Sequence, residues 1–441
     1  MIFNLDKKFK PLDGEEIKFE SFTFLGGEPH IKINPIENLH DLGYIPMVIK
    51  ALPEGVSVPM RVPMFTMYNT LSEFFWLTNY FETLVSAVVW MPCTSATIAK
   101  QYRKVLDKYA LETSSIPEFV DWQGHDFSMR GMAGIEASLI SASGHLLSFN
   151  GTDTVPAISL LEKYYNANSD KELIGGSVSA TEHSVMCMGT IEDEIGTFKR
   201  LICEVYSKGI VSIVSDTWDL WKVLTDYLPR LKNEVLNRDG KVVIRPDSGD
   251  PVDIICGNPN GKNENEKKGV IELLWETFGG TTNSKGFKEL DPHIGAIYGD
   301  SITVARATQI CERLKEKGFA STNVVLGIGS YTYQYNTRDT FGFAMKATYG
   351  EVNGQGREIF KDPITDDGTK KSAKGLMKIE LQNGTYQLID QATWEQEKIG
   401  ELKEIFRDGK LLIDQNLAEI RQRLKYKTAY DSGFVKAGLQ C

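Results

Sequence analysis

The segment Arg245-Pro246-Asp247-Ser248-Gly249-Asp250 puts a cation, two carboxylates and a hydroxyl on one short turn. Proline fixes the backbone there and glycine permits the reversal. The set suits a phosphorylated sugar, because a guanidinium grips phosphate through two hydrogen bonds and an aspartate holds Mg²⁺ or a ribose hydroxyl. A structural ion pair is the alternative. Ser177-Val178-Ser179-Ala180-Thr181-Glu182-His183-Ser184 sets two ionisable groups among small residues. Histidine titrates near neutrality and serves as acid, base or nucleophile, though many histidines are structural. Gly151-Thr152-Asp153-Thr154 reads equally as a helix cap and as a carboxylate ready to accept from a ligand. In His125-Asp126-Phe127-Ser128-Met129-Arg130-Gly131, an aromatic and an arginine three residues apart can stack on and neutralise a ligand. Phe127 reads equally as core. Gly299-Asp300-Ser301 and Gly327-Ile328-Gly329-Ser330 are glycine turns that let backbone N–H groups approach a phosphate, or are plain tight turns. Of the later cations Arg338, Lys361, Lys370, Lys371 and Lys374, the last two read as solvated surface.

These residues need a scaffold that gathers them. Seven short apolar runs end near Arg130, Asp153, His183, Asp216, Asp247, Asp300 and Gly329, at intervals of 23, 30, 33, 31, 53 and 29 residues. A βα unit takes about 30 residues or more. Val211–Val214 and Val242–Ile244 are too apolar to be half-solvated, which favours a parallel sheet covered by helices. The functional residue types fall at the C-terminal ends of the runs, where βα loops build a barrel's active site. The reading is an α/β chain with an irregular (β/α) barrel over 119–340. A second α+β domain is expected from 37–118 and 341–441, after an atypical segment 1–36. Gly257–Gly286, polar and inside the one long interval, reads as a surface insertion. Thr70-Leu71-Ser72-Glu73 has the pattern of a capping box opening a buried helix from Phe74 to about Val89. Asn383-Gly384 and Asp408-Gly409 predict hairpin turns, and Leu417–Leu424 a closing amphipathic helix.

The chain has 441 residues and a formal net charge of −10, which disfavours nonspecific nucleic-acid binding. Its six cysteines form no C-x-x-C pair, so a zinc ribbon or a disulfide framework is not expected and a reducing cytoplasm fits. The N-terminus has no apolar stretch of signal-peptide length, and Leu84–Met91 is far shorter than the ~20 residues of a membrane span. No His-x-His pair marks a metal-dependent hydrolase.

In order and spacing, these segments resemble the nicotinamide phosphoribosyltransferase family of type II phosphoribosyltransferases. The likeness runs from about Ile49 to Lys425. It is carried by Ile49–Gly55, Trp76–Thr83, His125–Gly131, Gly151–Val155, Ser177–His183, Val211–Asp216, Ile244–Gly249, Gly299-Asp300, Thr337-Arg338-Asp339 and Phe360-Lys361-Asp362-Pro363. The resemblance implies synthesis of nicotinamide mononucleotide and pyrophosphate from nicotinamide and phosphoribosyl pyrophosphate, in NAD salvage by a homodimer. It implies that Phe127 stacks on the pyridine ring and Asp153 accepts from the carboxamide. Arg130, Arg245, Gly329 and Ser330 would hold the product phosphate, and Asp247, Gly299 and Asp300 the ribose side. His183 would be phosphorylated by ATP, with Arg338, Lys361 and Lys370 near pyrophosphate or ATP, and Asp216 on the Mg²⁺ side. A nicotinate-specific enzyme and a catalytically impaired nucleotide-binding relative are the alternatives.

Three departures from the family pattern stand out. Tyr331 adds bulk beside Gly329-Ser330, and Ser179 replaces a proline of the histidine loop. The family's N-terminal Thr-Asp-Ser-Tyr-Lys type segment, which lends a stacking tyrosine to the partner subunit's site, is not recognised in 1–36. There Phe19–His30 faintly resembles the opening of ribose-phosphate pyrophosphokinases. A ring stacked on one face only is expected to forfeit on the order of 1 kcal/mol.

Overall fold

The computed structural model describes residues 33–299, 301–361, 363–365 and 372–425. Segment 1–32 and the residues Asp300, Lys370 and Lys371 lie outside them. The chain divides into two compact units, one of residues 87–344 with 416–425 and one of 33–86 with 345–415.

The larger unit contains the expected (β/α) barrel as a curled, all-parallel sheet of seven strands. They are β1 Gly124–Asp126, β2 Gly151–Thr152, β3 Ser179–Ala180, β4 Lys208–Val214, β5 Asp239–Arg245, β6 Ile294–Tyr298 and β7 Val324–Ile328. The spatial order is β2-β1-β7-β6-β5-β4-β3. A bridge between Gly151 and Gly176 brings the approach to β3 alongside β2. Every residue of β6 is buried, as are Val242 and Ile244 of β5 and Val211, Ile213 and Val214 of β4, because helices cover the outer face.

Several sequence expectations need correction. The helix expected over Phe74–Val89 begins at Leu77 and continues to Thr113, 37 residues in all. By length and composition it could cross a membrane. Instead its later turns carry Ala99, Tyr102, Leu106, Tyr109 and Ala110 into the barrel core. That packing is why residues 87–118 group with the barrel and not with the domain built from the chain ends. The early turns are not buried all round, for Tyr80 and Val88 are exposed. The capping box does not form: Thr70 Oγ1 donates to Asp408 Oδ1 at 2.5 Å, and Ser72–Phe74 is a short 3₁₀ turn without a side-chain cap. Gly257–Gly286 is more than a surface insertion, since it contains a whole helix, Glu264–Phe278, with Val270, Ile271, Leu273 and Leu274 in the core. The helix Leu417–Lys425 joins the barrel unit because Leu417 packs against Ala142, Leu146 and Leu161.

In the smaller unit, Met47–Ala51 pairs with both Phe65–Asn69 and Lys403–Arg407, all antiparallel. Asn383-Gly384 turns the hairpin Leu376–Gln382 to Thr385–Ala392, with both residues at positive φ as that turn demands. Asp408-Gly409 does the same between Lys403–Arg407 and Lys410–Leu411. Lys50 Nζ lies 2.5 Å from Glu397 Oε1, a buried ion pair beside the Leu52–Ile379–Leu402 cluster.

Candidate functional site

The C-terminal ends of the strands bring Phe127, Asp153, His183, Asp216, Arg245, Asp247, Gly299, Gly329 and Ser330 to loops of one barrel. Adjacent strands put His125 and Gly151 in register, so the side chains just beyond them meet. His125 Nε2 lies 2.8 Å from Asp153 Oδ1, and Ser177 Oγ donates to the same oxygen at 2.5 Å. Among the described residues Oδ2 of Asp153 has no hydrogen-bond partner. Burial pushes this carboxyl up, but the His125 and Ser177 hydrogen bonds, the His125 charge and the Arg245 charge outweigh it and hold it below the ordinary aspartate range. A carboxylate that keeps its charge takes the His125 N–H, so Nε2 is the donor. The Asp153 loop is anchored from beneath by Asp126, which is fully buried. Asp126 accepts from Ser128 N–H and from the hydroxyls of Thr152 and Thr154, at 2.7–2.9 Å.

Phe127 is half-buried, its ring 4.6 Å from that of His125. A side chain at Gly327 would collide with the Phe127 ring at 2.6 Å, so the β7 glycine makes room for it. Gly131 likewise faces Ser330 Oγ so closely that a Cβ would sit 2.0 Å from it, which sets the β1 and β7 loops against each other. Gly329 has open space around its Cα.

Arg245 is buried, and its Nη2 donates to Thr181 O at 2.8 Å. Its Nε is buried and has no hydrogen-bond partner among the described residues. Glu182 lies between two arginines, 3.5 Å from Arg245 and 3.8 Å from the exposed Arg130. His183 has Nδ1 3.2 Å from Thr217 Oγ1 and Nε2 3.8 Å from Asp247 Oδ2. Asp216 Oδ2 accepts from Asp247 N–H at 2.8 Å and from Ser248 Oγ at 2.6 Å, while its Oδ1 is buried with no partner among the described residues. Asp247 Oδ1 stands over Gly299, where a Cβ would meet it at 2.6 Å.

Two of the expected residues, Arg338 and Lys361, are not part of this gathering. Arg338 is exposed and pairs with its own neighbour Asp339, 3.2 Å away. Lys361 belongs to the smaller unit, where its N–H donates to Ser372 Oγ and its carbonyl accepts from Ser372 N–H. Asp300 and Lys370 lie outside the described residues. Tyr331, expected as bulk near the glycine turn, stacks on Tyr335 at 5.4 Å, and both rings are exposed. No cluster of three or more potential metal ligands occurs among the described residues. Sequence reasoning missed His125, Ser177 and Thr217 as partners. Each depends on the register of neighbouring strands, which no local pattern encodes.

The model of the nicotinate phosphoribosyltransferase (NAPRTase) family matches residues 122–410. The chain belongs to that family. Within it, a nicotinamide phosphoribosyltransferase of Acinetobacter baylyi is 56% identical over 405 residues, spanning 90% of this chain and 80% of that one. The protein of the same name from Mycoplasma pneumoniae is 39% identical over 339 residues, 75% of this chain and 71% of that one. Among solved structures, the nicotinate-nucleotide pyrophosphorylase of Pyrococcus furiosus aligns with TM-score 0.53 at 13% identity, covering 88% and 82% of the two chains. That last likeness concerns the fold.

Proposed function

We propose that this protein is a nicotinamide phosphoribosyltransferase, joining nicotinamide to phosphoribosyl pyrophosphate to give nicotinamide mononucleotide and pyrophosphate. The observation that carries the choice of base is the Asp153 carboxylate. Its Oδ1 is occupied by His125 and Ser177, and its Oδ2 is left to accept from a carboxamide N–H₂. Nicotinate would set a second carboxylate against it, and like charges in a half-buried site repel. The names of the two bacterial relatives support the same reading.

In this reading Phe127 stacks on the pyridine ring. Arg245, Arg130, Gly329 and Ser330 take the 5′-phosphate, with the unpartnered Nε of Arg245 as one donor. Asp247, Gly299 and Asp300 hold the ribose. The pyridine nitrogen displaces pyrophosphate at the anomeric carbon through a transition state of oxocarbenium character. Little proton transfer is needed, so the residues act by positioning and by charge.

Asp216 fits an Mg²⁺ site: Oδ2 is fixed by the 247–248 turn, and Oδ1 is buried and unpartnered. Mg²⁺ commonly takes one or two carboxylates plus phosphate oxygens, and when bound it would offset charge on the leaving pyrophosphate. His183, half-exposed, is the proposed acceptor of a phosphoryl group from ATP, and the family resemblance assigns Arg338, Lys361 and Lys370 to pyrophosphate or the ATP phosphates. ATP coupling and a homodimer rest on the family resemblance. A cytoplasmic setting is proposed from the sequence alone, whose cysteines form no C-x-x-C pair.

The test is product analysis on purified protein with nicotinamide, phosphoribosyl pyrophosphate and Mg²⁺, with and without ATP. Mononucleotide formed by the parent and lost in Asp153→Ala supports the proposal. Folded protein that binds nucleotide but yields none would leave the impaired-relative reading.

A further inference from the structure

His145 ends the helix Ile135–His145 and is fully buried. Its Nε2 lies 3.0 Å from the carbonyl oxygen of Gly151, two residues before Asp153. Its Nδ1 lies 2.6 Å from the hydroxyl of Tyr333, which ends the short helix Ser330–Tyr333 behind Gly329. A carbonyl only accepts, so Nε2 carries the proton and Nδ1 accepts from the tyrosine. One neutral tautomer therefore satisfies both contacts. The imidazole also stacks on Phe149 at 5.1 Å, and Tyr333 is buried with it.

The surroundings keep this link rigid. Gly144 lets its helix approach the long helix closely, for a Cβ there would lie 2.5 Å from the Pro92 carbonyl oxygen. Ser95 and Ser141 hydrogen-bond across the same crossing at 2.9 Å. On the other side Tyr102 Oη donates to Ile302 O at 2.7 Å and sits 3.1 Å from Thr332 Oγ1. Burial, and to a lesser extent the facing His125, hold the His145 imidazole down at about 4 against the pull of Asp126, so it stays neutral. Burial likewise keeps Tyr333 protonated.

We infer that His145 and Tyr333 form a buried positioning link that fixes the loop bearing Asp153 relative to the Gly329-Ser330 turn. The link sets the span between the group that reads the base and the donors that hold the phosphate. Neither residue touches substrate. The inference rests on the proposed function, because only a ligand with a base and a phosphate at fixed separation makes that span matter. A mononucleotide must satisfy both ends at once, whereas nicotinamide or ribose 5-phosphate alone engages one.

The experiment is titration calorimetry of the full chain with three probes: nicotinamide mononucleotide, nicotinamide and ribose 5-phosphate. Tyr333→Phe deletes one oxygen and should weaken the mononucleotide roughly fivefold, the worth of one buried hydrogen bond. Each half-ligand should change by less than about twofold, because each still finds its own end of the site. His145→Ala should show the same pattern more strongly, and His145→Gln, which keeps a donor for Gly151, should restore part of it. Should His145→Ala not fold, Tyr333→Phe still decides. A parallel change in all three probes, or a lowered Tm with no change in any, would overturn the link while leaving the transferase reading intact. Failure of the parent itself to bind the mononucleotide would overturn both.

Discussion

The two sides of the site are built differently. On the side assigned to the base, His125, Ser177 and Asp153 are bonded to one another, and the buried Asp126 anchors their loops. On the side assigned to the phosphates, Arg130 and Arg338 are exposed, and His183 stands 3.8 Å from Asp247. Glu182 reaches toward both Arg130 and Arg245 without closing a tight pair with either. The difference follows from what each side is proposed to bind. A neutral ring with one amide offers little charge, so its recognition has to be organised beforehand. A polyanion brings its own charge and can draw loose cations around it.

This contrast can be broken by substitution. Asp153→Ala removes the acceptor on which the base side converges. It should lower kcat/KM for nicotinamide about 100-fold, the scale of a lost charge-assisted hydrogen bond plus stranded donors, checked by steady-state kinetics. Arg245→Ala should raise KM for phosphoribosyl pyrophosphate by about tenfold or more, with kcat falling less, because its guanidinium is buried on the phosphate side. Arg130→Ala should act more weakly, raising that KM a few-fold and shifting stability by less than about 0.5 kcal/mol in urea unfolding. Equal effects of the two arginine substitutions would dissolve the distinction between a built and an open phosphate side.

A pH titration sharpens it further. His145 stays neutral in the fold down to about 4, whereas the unfolded chain protonates it near its usual 6.5. Between those values the unfolded state binds the extra proton, so stability falls as pH drops through that window, by on the order of 3 kcal/mol. Urea midpoints at pH 7 and pH 5 would register the slope, and His145→Gln should flatten it. Asp153 acts in the same direction but at lower pH. Its lowered pKa keeps the carboxylate charged well below neutrality, so its contribution persists until pH falls beneath the ordinary aspartate value.

Much of the scaffold was legible because parallel strands buried on both faces must be apolar throughout, and the turns that follow them concentrate glycine, proline and aspartate. Val242–Ile244 followed by Pro246-Asp247-Ser248-Gly249 is such a case, and Asn383-Gly384 announced its hairpin from two residues. What could not be read depends on partners remote in sequence. Thr70 passes for a cap until Asp408 is found beside it. His125 and Asp153 are 28 residues apart and meet only through strand register. His145 lies in a run of serines, alanines and glycines that signals nothing, and its two partners come from β2 and from beyond β7. The long helix was under-read because its apolar residues change role midway, from an exposed stretch around Val88 to the barrel core at Tyr102.

The central claim is that Asp153, held charged and half-satisfied, selects an amide over a carboxylate. The most direct measurement is the ratio of kcat/KM for nicotinamide to that for nicotinate, in the parent and in Asp153→Asn. The account predicts a ratio far above one in the parent and a collapse of at least tenfold in the variant, where an amide side chain can donate to a carboxylate. A parent that prefers nicotinate, or a ratio unchanged by the substitution, would contradict it.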